Sequence, residues 1–172
     1  MSPAKTFERV THPFGPLFDP ECRVLILGSM PSVKSRVQSF FYGHPQNRFW
    51  PLLARLFDEP APGTIEEKRA LALKHHVALW DVIASCEIIG SSDADIRNVT
   101  PNDLSPIFNS APIKKVFCNG RTSGAYFARH QQKTLGIEAV TLPSTSPANA
   151  AWNMDRLYEA WKIVADVAEG NN

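Results

Sequence analysis

Cysteine is scarce in this 172-residue chain: Cys22, Cys86 and Cys118 are all there is, far apart and odd in number. With no C-x-x-C pair, a cysteine-built zinc site or iron–sulfur cluster is excluded, and a reduced cytosolic compartment is expected. The five histidines form no H-E-x-x-H spacing, and adjacent His75 and His76 would point about 100° apart on a helix. No metal or other cofactor is therefore expected. Also missing is any apolar run near the roughly 20 residues that span a bilayer, so no membrane partner is expected. The first eleven residues carry Lys5, Glu8 and Arg9 without an apolar segment, and do not read as a secretory signal. Excess charge is absent too: eighteen basic against seventeen acidic residues leave +1. That excludes a polyelectrolyte-type nucleic-acid binder but permits a local basic patch.

What is present is ordinary globular material, 44% apolar and 20% charged, enough for one domain over residues 1–172 with a sizeable core. Short apolar runs at 23–27, 77–83, 115–118 and 138–142 read as strands. Helical periods lie between them. Phe49, Leu52, Leu53, Leu56 and Phe57 share one face of a helix starting near Asn47, with Pro51 in its first turn. Thr64 and Glu67 form a capping-box signature for a helix reaching about His75. Thr100-Pro101 is expected to open a short helix, Gly120 to precede one ending near Gly136, and Ser146-Pro147 to start the last. Strands alternating with helices predict a mostly parallel sheet covered on both faces. Ligands of such sheets bind beyond the carboxyl ends of the strands, which confines the search to four loops.

The first loop, residues 28–36 (GSMPSVKSR), is rich in small residues, and Ser32 and Ser35 can donate to phosphate oxygens. It lacks the glycine pattern of a P-loop or a dinucleotide fingerprint, which argues against a nucleotide-dependent kinase or dehydrogenase. The consecutive aromatics Phe40, Phe41 and Tyr42 break every core period, so at least one is expected to face a pocket.

Together, GSMPS at 28–32, YGHPQNRFW at 42–50, FCNG at 117–120 and STSPANA at 144–150 resemble the uracil-DNA glycosylase superfamily. The resemblance is strongest to its hypoxanthine-DNA (deoxyinosine) glycosylase branch and runs from about His12 to the last helix. It implies a three-layer α/β/α sandwich around a four-stranded, mostly parallel sheet. It also implies an enzyme that flips a damaged base out of DNA and hydrolyses its glycosidic bond without a cofactor. The implied partner is DNA containing a deaminated base, and a monomer is expected. Where uracil-acting relatives carry a catalytic Asp or Asn in the first loop, this chain has Met30. The resemblance gives that role to Asn47, places the base against Gly28, Ser29, Met30 and Tyr42, and lets Asn119 read its edge. Ser144 stands where the uracil-type late motif has His, and the usual wedge falls near Ala148–Asn149. Ser32, Ser35, Ser144, Ser146 and Asn149 are the implied DNA contacts.

Each residue also has a plainer reading. Asn47 stands at a helix start, where asparagine caps, and Asn119 before Gly120 suits a turn. Tyr42 can be core, and Ser146 can cap the last helix. Asp81 sits where a general base would be attractive, but no motif assigns it. His44 reads as a turn residue. Lys34, Arg36, Arg48 and Arg121 are candidate phosphate partners. Two alternative functions stay open: uracil excision on the same fold, and a non-catalytic nucleic-acid-binding module.

Overall fold

The computed structural model describes residues 7–31, 36, 40–89 and 96–170. Its centre is a parallel sheet of strands β2 (Val24–Gly28), β3 (Val77–Asp81), β6 (Lys115–Asn119) and β7 (Ala139–Leu142), in the order β3-β2-β6-β7. Every residue of β2 and β3 is buried, as a central sheet covered on both faces requires. Helices α1 (Phe49–Leu56), α2 (Ile65–Lys74) and the long α6 (Met154–Ala168) pack together or against β2 and β3. Helix α4 (Arg121–His130) packs on β6 and β7, and a four-residue turn of helix, α5 (Gln132–Leu135), follows it. The three-layer α/β/α expectation is met.

Chain direction explains where a site can form. From β2 the chain crosses outward to β3, whereas from β6 it crosses the other way to β7. The connections diverge between neighbouring β2 and β6, and this switch point opens a crevice beyond their carboxyl ends.

Several sequence expectations need correction. The run at 77–83 is not one strand: it breaks at Val82 into β3 and β4 (Ile83–Ile88). The freed carbonyls find side chains, with Gln131 Nε2 on Val82 O and Asn102 Nδ2 on Asp81 O and Ile83 O. Strand β4 then lies between β1 (Glu8–Thr11) and β5 (Arg97–Pro101) in a three-stranded antiparallel sheet that periodicity did not predict. Thr100-Pro101 therefore ends a strand instead of opening a helix. Pro101 sits at an edge, where a missing N–H does least harm. Helix α3 (Ser105–Ser110) starts four residues later. The stretch after Gly120 is interrupted at Gln131, although left-handed Gly136 (φ 67°) does end it. Nor does Ser146-Pro147 start the last helix. Asn153 caps α6, its side chain accepting from Arg156 N, because residues 144–152 are held in an irregular loop. Phe40 and Phe41 are core, 4% and 2% exposed, which leaves Tyr42 as the aromatic nearest the crevice.

Candidate active site

The floor of the crevice is built around Gly28 at the end of β2. A Cβ there would stand 2.4 Å from Asp81 Oδ1 and 3.2 Å from the Tyr42 hydroxyl, so only glycine admits both neighbours. Asp81, buried at the end of β3, accepts from His12 Nε2 at 2.6 Å. The His12 ring is wedged edge-on against Phe14 and tilted on Trp80, with centroids 4.6 and 4.5 Å away. The carboxylate is thus part of the wall, with one oxygen bonded and the other pressed on Gly28.

Tyr42 is held in the left-handed region at φ 54°, a strained conformation for a bulky residue and one that collects at functional sites. Its ring stacks on Phe49 at 4.1 Å, so a base can stack only on the opposite face. The buried hydroxyl makes no close hydrogen bond among the described residues, although the Asn119 side chain lies near enough to act on it. Burial first, and the Asp81 charge second, push the phenol well above its ordinary value, while Asn119 acts in the opposite direction. It stays a protonated donor throughout the useful pH range.

Beside it lies a three-residue network. Asn119, at the end of β6, accepts from Thr145 N through Oδ1 at 3.0 Å and donates from Nδ2 to Thr145 Oγ1 at 3.0 Å. Thr145 Oγ1 in turn donates to Asn47 Oδ1 at 2.8 Å. That same Asn47 oxygen accepts from Phe49 N at 2.9 Å, an Asx-type turn that starts α1, with Arg48 in the cap position. Asn47 therefore does support the helix, yet its Nδ2 has no partner among the described residues. Its oxygen, the atom that could accept from a water, is already engaged twice. Thr145, absent from the sequence reading, joins the two asparagines. Sequence offered no signal for it, as it reads as one more hydroxyl between Ser144 and Ser146.

The late loop is shaped by Arg48. Its guanidinium donates to the carbonyls of Thr145, Ser146, Asn149 and Trp152, with Ser146 O at 2.8 Å and Asn149 O at 3.2 Å. A side chain committed to four carbonyls is not a phosphate partner, which corrects that expectation. Ser144 Oγ accepts from Ser146 N and Ser146 Oγ from Ala148 N, leaving both hydroxyl hydrogens available to donate. Asn149 Nδ2 donates back to Ser144 O. These residues line a cleft of about 620 Å³ with Gly120, Arg121 and Trp152. Arg121 is exposed on its rim, whereas Arg36 is already engaged. Ser32, Lys34 and Ser35 lie outside the described residues. Ser29 accepts from Ile83 N through its carbonyl, and half-buried Met30 packs on the core. His44 is a turn residue, accepting from Gln46 N at 3.1 Å.

Among the described residues no three His, Cys, Asp or Glu side chains are placed to hold a metal ion. All three cysteines are buried, and burial pushes the Cys22 and Cys118 thiols up to about 12 and about 11. No described helix is long and apolar enough to cross a membrane.

A parallel sheet whose polar side chains converge at its switch point is the framework of a ligand-binding α/β domain. The family model for the uracil DNA glycosylase superfamily matches residues 16–168, and the chain belongs to that superfamily. It is 35% identical over 153 residues to a hypoxanthine DNA glycosylase of Methanosarcina acetivorans, covering 88% of this chain and 95% of that protein. A hypoxanthine DNA glycosylase of Methanosarcina barkeri is 36% identical over 138 residues, covering 79% and 86%. The solution NMR structure of a candidate uracil DNA glycosylase from M. acetivorans superposes with a TM-score of 0.77. It is 32% identical and covers 91% of this chain and 96% of its own.

Proposed function

We propose that the protein is a repair glycosylase that takes hypoxanthine from deoxyinosine in DNA and leaves an abasic site. The observation that carries this reading is the pair of asparagine amides, Asn47 and Asn119, anchored on buried Thr145 beside Tyr42 at the switch point. The two Methanosarcina relatives, named for the same base, support it.

Few reactive groups are needed. Cleaving C1′–N9 develops positive charge on the sugar and negative charge on the departing purine, which leaves with the bonding electron pair. An oxocarbenium-like state needs a positioned water more than a strong base. Asn47 cannot take a proton near neutrality, so general-base help of roughly 100- to 10,000-fold is forgone. Its free Nδ2–H can instead seat the water by one lone pair, leaving the other directed at C1′. The water oxygen bonds to C1′, and its surplus proton passes to solvent.

Thr145 takes the Asn119 Oδ1 lone pair and Nδ2 hydrogen that lie side by side, so the remaining lone pair and hydrogen point to opposite flanks of the amide. The remaining Nδ2–H can donate to O6 of hypoxanthine, whereas adenine presents its N6 donor at that position. A mismatched buried polar group costs about 1–3 kcal/mol, or roughly 5- to 150-fold. Asn119→Asp, which turns an oxygen toward O6, is expected to lose inosine excision by about that factor in single-stranded DNA, where unpairing does not contribute. Unchanged single-turnover cleavage would move the base-reading contact to another residue.

The DNA contacts expected are serine hydroxyls and backbone N–H groups, with Arg121 the cation best placed at the cleft. Binding should weaken only shallowly with salt, with a log–log slope of magnitude about 2–4 at roughly 0.9 per neutralised phosphate. Arg121→Ala is expected to lower that magnitude by about one. A steep slope that Arg121→Ala leaves unaltered would place the phosphate contacts on another face.

The deciding experiment incubates the protein with labelled oligonucleotides carrying inosine, uracil or xanthine and measures abasic sites. Release of free hypoxanthine from inosine is expected. Preference for uracil, which presents the same acceptor–donor pair, would change the substrate. Binding without any abasic product would reduce the protein to a binding module.

A further inference from the structure

We propose that the Thr145 hydroxyl is a positioning group that locks the Asn119 and Asn47 amides to each other, so that reading the base and seating the water are set together. The inference rests on the reading above and extends it to a residue that touches neither base nor water. Thr145 is fully buried (0% exposed) and acts through its two partners.

Counting protons leaves one arrangement. Thr145 N–H must find an acceptor, so the Asn119 atom 3.0 Å from it is Oδ1. Asn119 Nδ2 then faces Thr145 Oγ1 at 3.0 Å and must donate to it. The single hydroxyl hydrogen has one direction left, toward Asn47 Oδ1 at 2.8 Å. Phe49 N–H, 2.9 Å from the same atom, independently requires an oxygen there. Asn119 is thereby held at both amide heteroatoms and Asn47 by two donors converging on its oxygen, which restrains rotation about each terminal torsion. Free amide torsions are broad, so a single hydrogen bond would not hold either group in one orientation.

Backbone geometry brings the network within reach. Gly120, at φ 101°, lets the end of β6 approach the late loop, where a Cβ would lie 3.2 Å from Ser144 Cβ. Arg48 holds the Thr145 carbonyl from the other side through its backbone N–H at 3.1 Å and its Nε at 3.3 Å. The hydroxyl is fixed before substrate arrives.

Two variants test this. Thr145→Val keeps the shape and the backbone N–H but removes the hydroxyl, whereas Thr145→Ser keeps the hydroxyl and loses a methyl. In single-turnover assays on inosine DNA, Thr145→Ser should cleave within about threefold of wild type and Thr145→Val about 30-fold or more slower, below the ~100–1,000-fold of a direct transition-state contact. DNA affinity should be unchanged in both, and the inosine-to-adenine ratio should fall only in Thr145→Val. Nitrogen-15 spectra of the side-chain amides answer without substrate. One Asn119 NH₂ hydrogen should be protected from exchange in wild type and Thr145→Ser, and both should exchange readily in Thr145→Val. Val-variant cleavage and amide signals like those of wild type would overturn the proposal. So would losses in both variants that track their melting temperatures, since packing alone would then explain them. A wild type that releases no base, with the amide pattern as expected, would instead count against the proposed function and leave the lock standing.

Discussion

Replacing Asn47 by alanine is expected to slow single-turnover excision of hypoxanthine by about 100-fold or more, the scale of losing one preorganised transition-state contact. The structure adds a second cost, because Asn47 Oδ1 also satisfies Phe49 N–H at the start of α1 and the Thr145 hydroxyl. Losing such a helix-start acceptor costs about 1 kcal/mol. A modest fall in melting temperature should therefore accompany the loss of rate. Asn47→Asp separates the two effects. Its carboxylate can keep both inward hydrogen bonds, but it presents an oxygen where Nδ2–H stood. Stability near wild type with slow cleavage is the expected result. If Asn47→Asp cleaves as fast as wild type or faster, the water is held by an acceptor. If Asn47→Ala cleaves normally once folded, the residue only shapes the turn.

The second large effect concerns stability. Asp81→Ala should destabilise the protein by about 1–3 kcal/mol, because it leaves the buried His12 ring without the acceptor it bonds. For a chain of this length that corresponds to a melting temperature lower by roughly 2–12 °C. His12 and Asp81 side chains are only 3% and 5% exposed, so water cannot readily substitute. Asp81→Asn retains an acceptor for His12 and removes the charge. It is expected to keep most of the cleavage rate, because the carboxylate is bonded in the wall. A loss of about 100-fold or more would instead mark Asp81 as a general base. Alanine at 81 with an unchanged melting curve would show that the pair does not hold the wall together.

Residues with local signatures declared themselves in the sequence. Short apolar runs at 23–27 and 115–118 gave β2 and β6, and Thr64 caps α2 as the Thr64/Glu67 spacing predicts, accepting from Glu67 N. The loops beyond those strands do hold Asn47, Tyr42, Asn119 and the late serines, because a parallel sheet leaves few other places for polar groups to meet. What escaped was non-local. Strands β1 and β5 are short and largely exposed, so their alternation is faint, and pairing with β4 defines them. Pro101 and Pro147 both looked like helix openers, yet their surroundings are set by partners distant in sequence. The His12–Asp81 pair spans 69 positions, and Arg48 reaches Ser146 across 98. Thr145 carries no motif of its own, since its importance lies in where two other chain segments end.

Arg48 has a consequence for how this protein can change. The conformation of the loop from Thr145 to Trp152 is written largely by one cation gripping main-chain carbonyls, an interaction indifferent to which side chains those residues bear. Form and chemistry are therefore encoded in different places. Exposed Ala148 and half-buried Asn149 and Ser146 can be exchanged, one at a time, while the ribbon that displays them keeps its course. A lineage carrying such an arginine can change what the loop displays by drift at those positions, with its fold left out of the trial. The same division names the fragile point: one substitution at Arg48 would unsettle every displayed group at once.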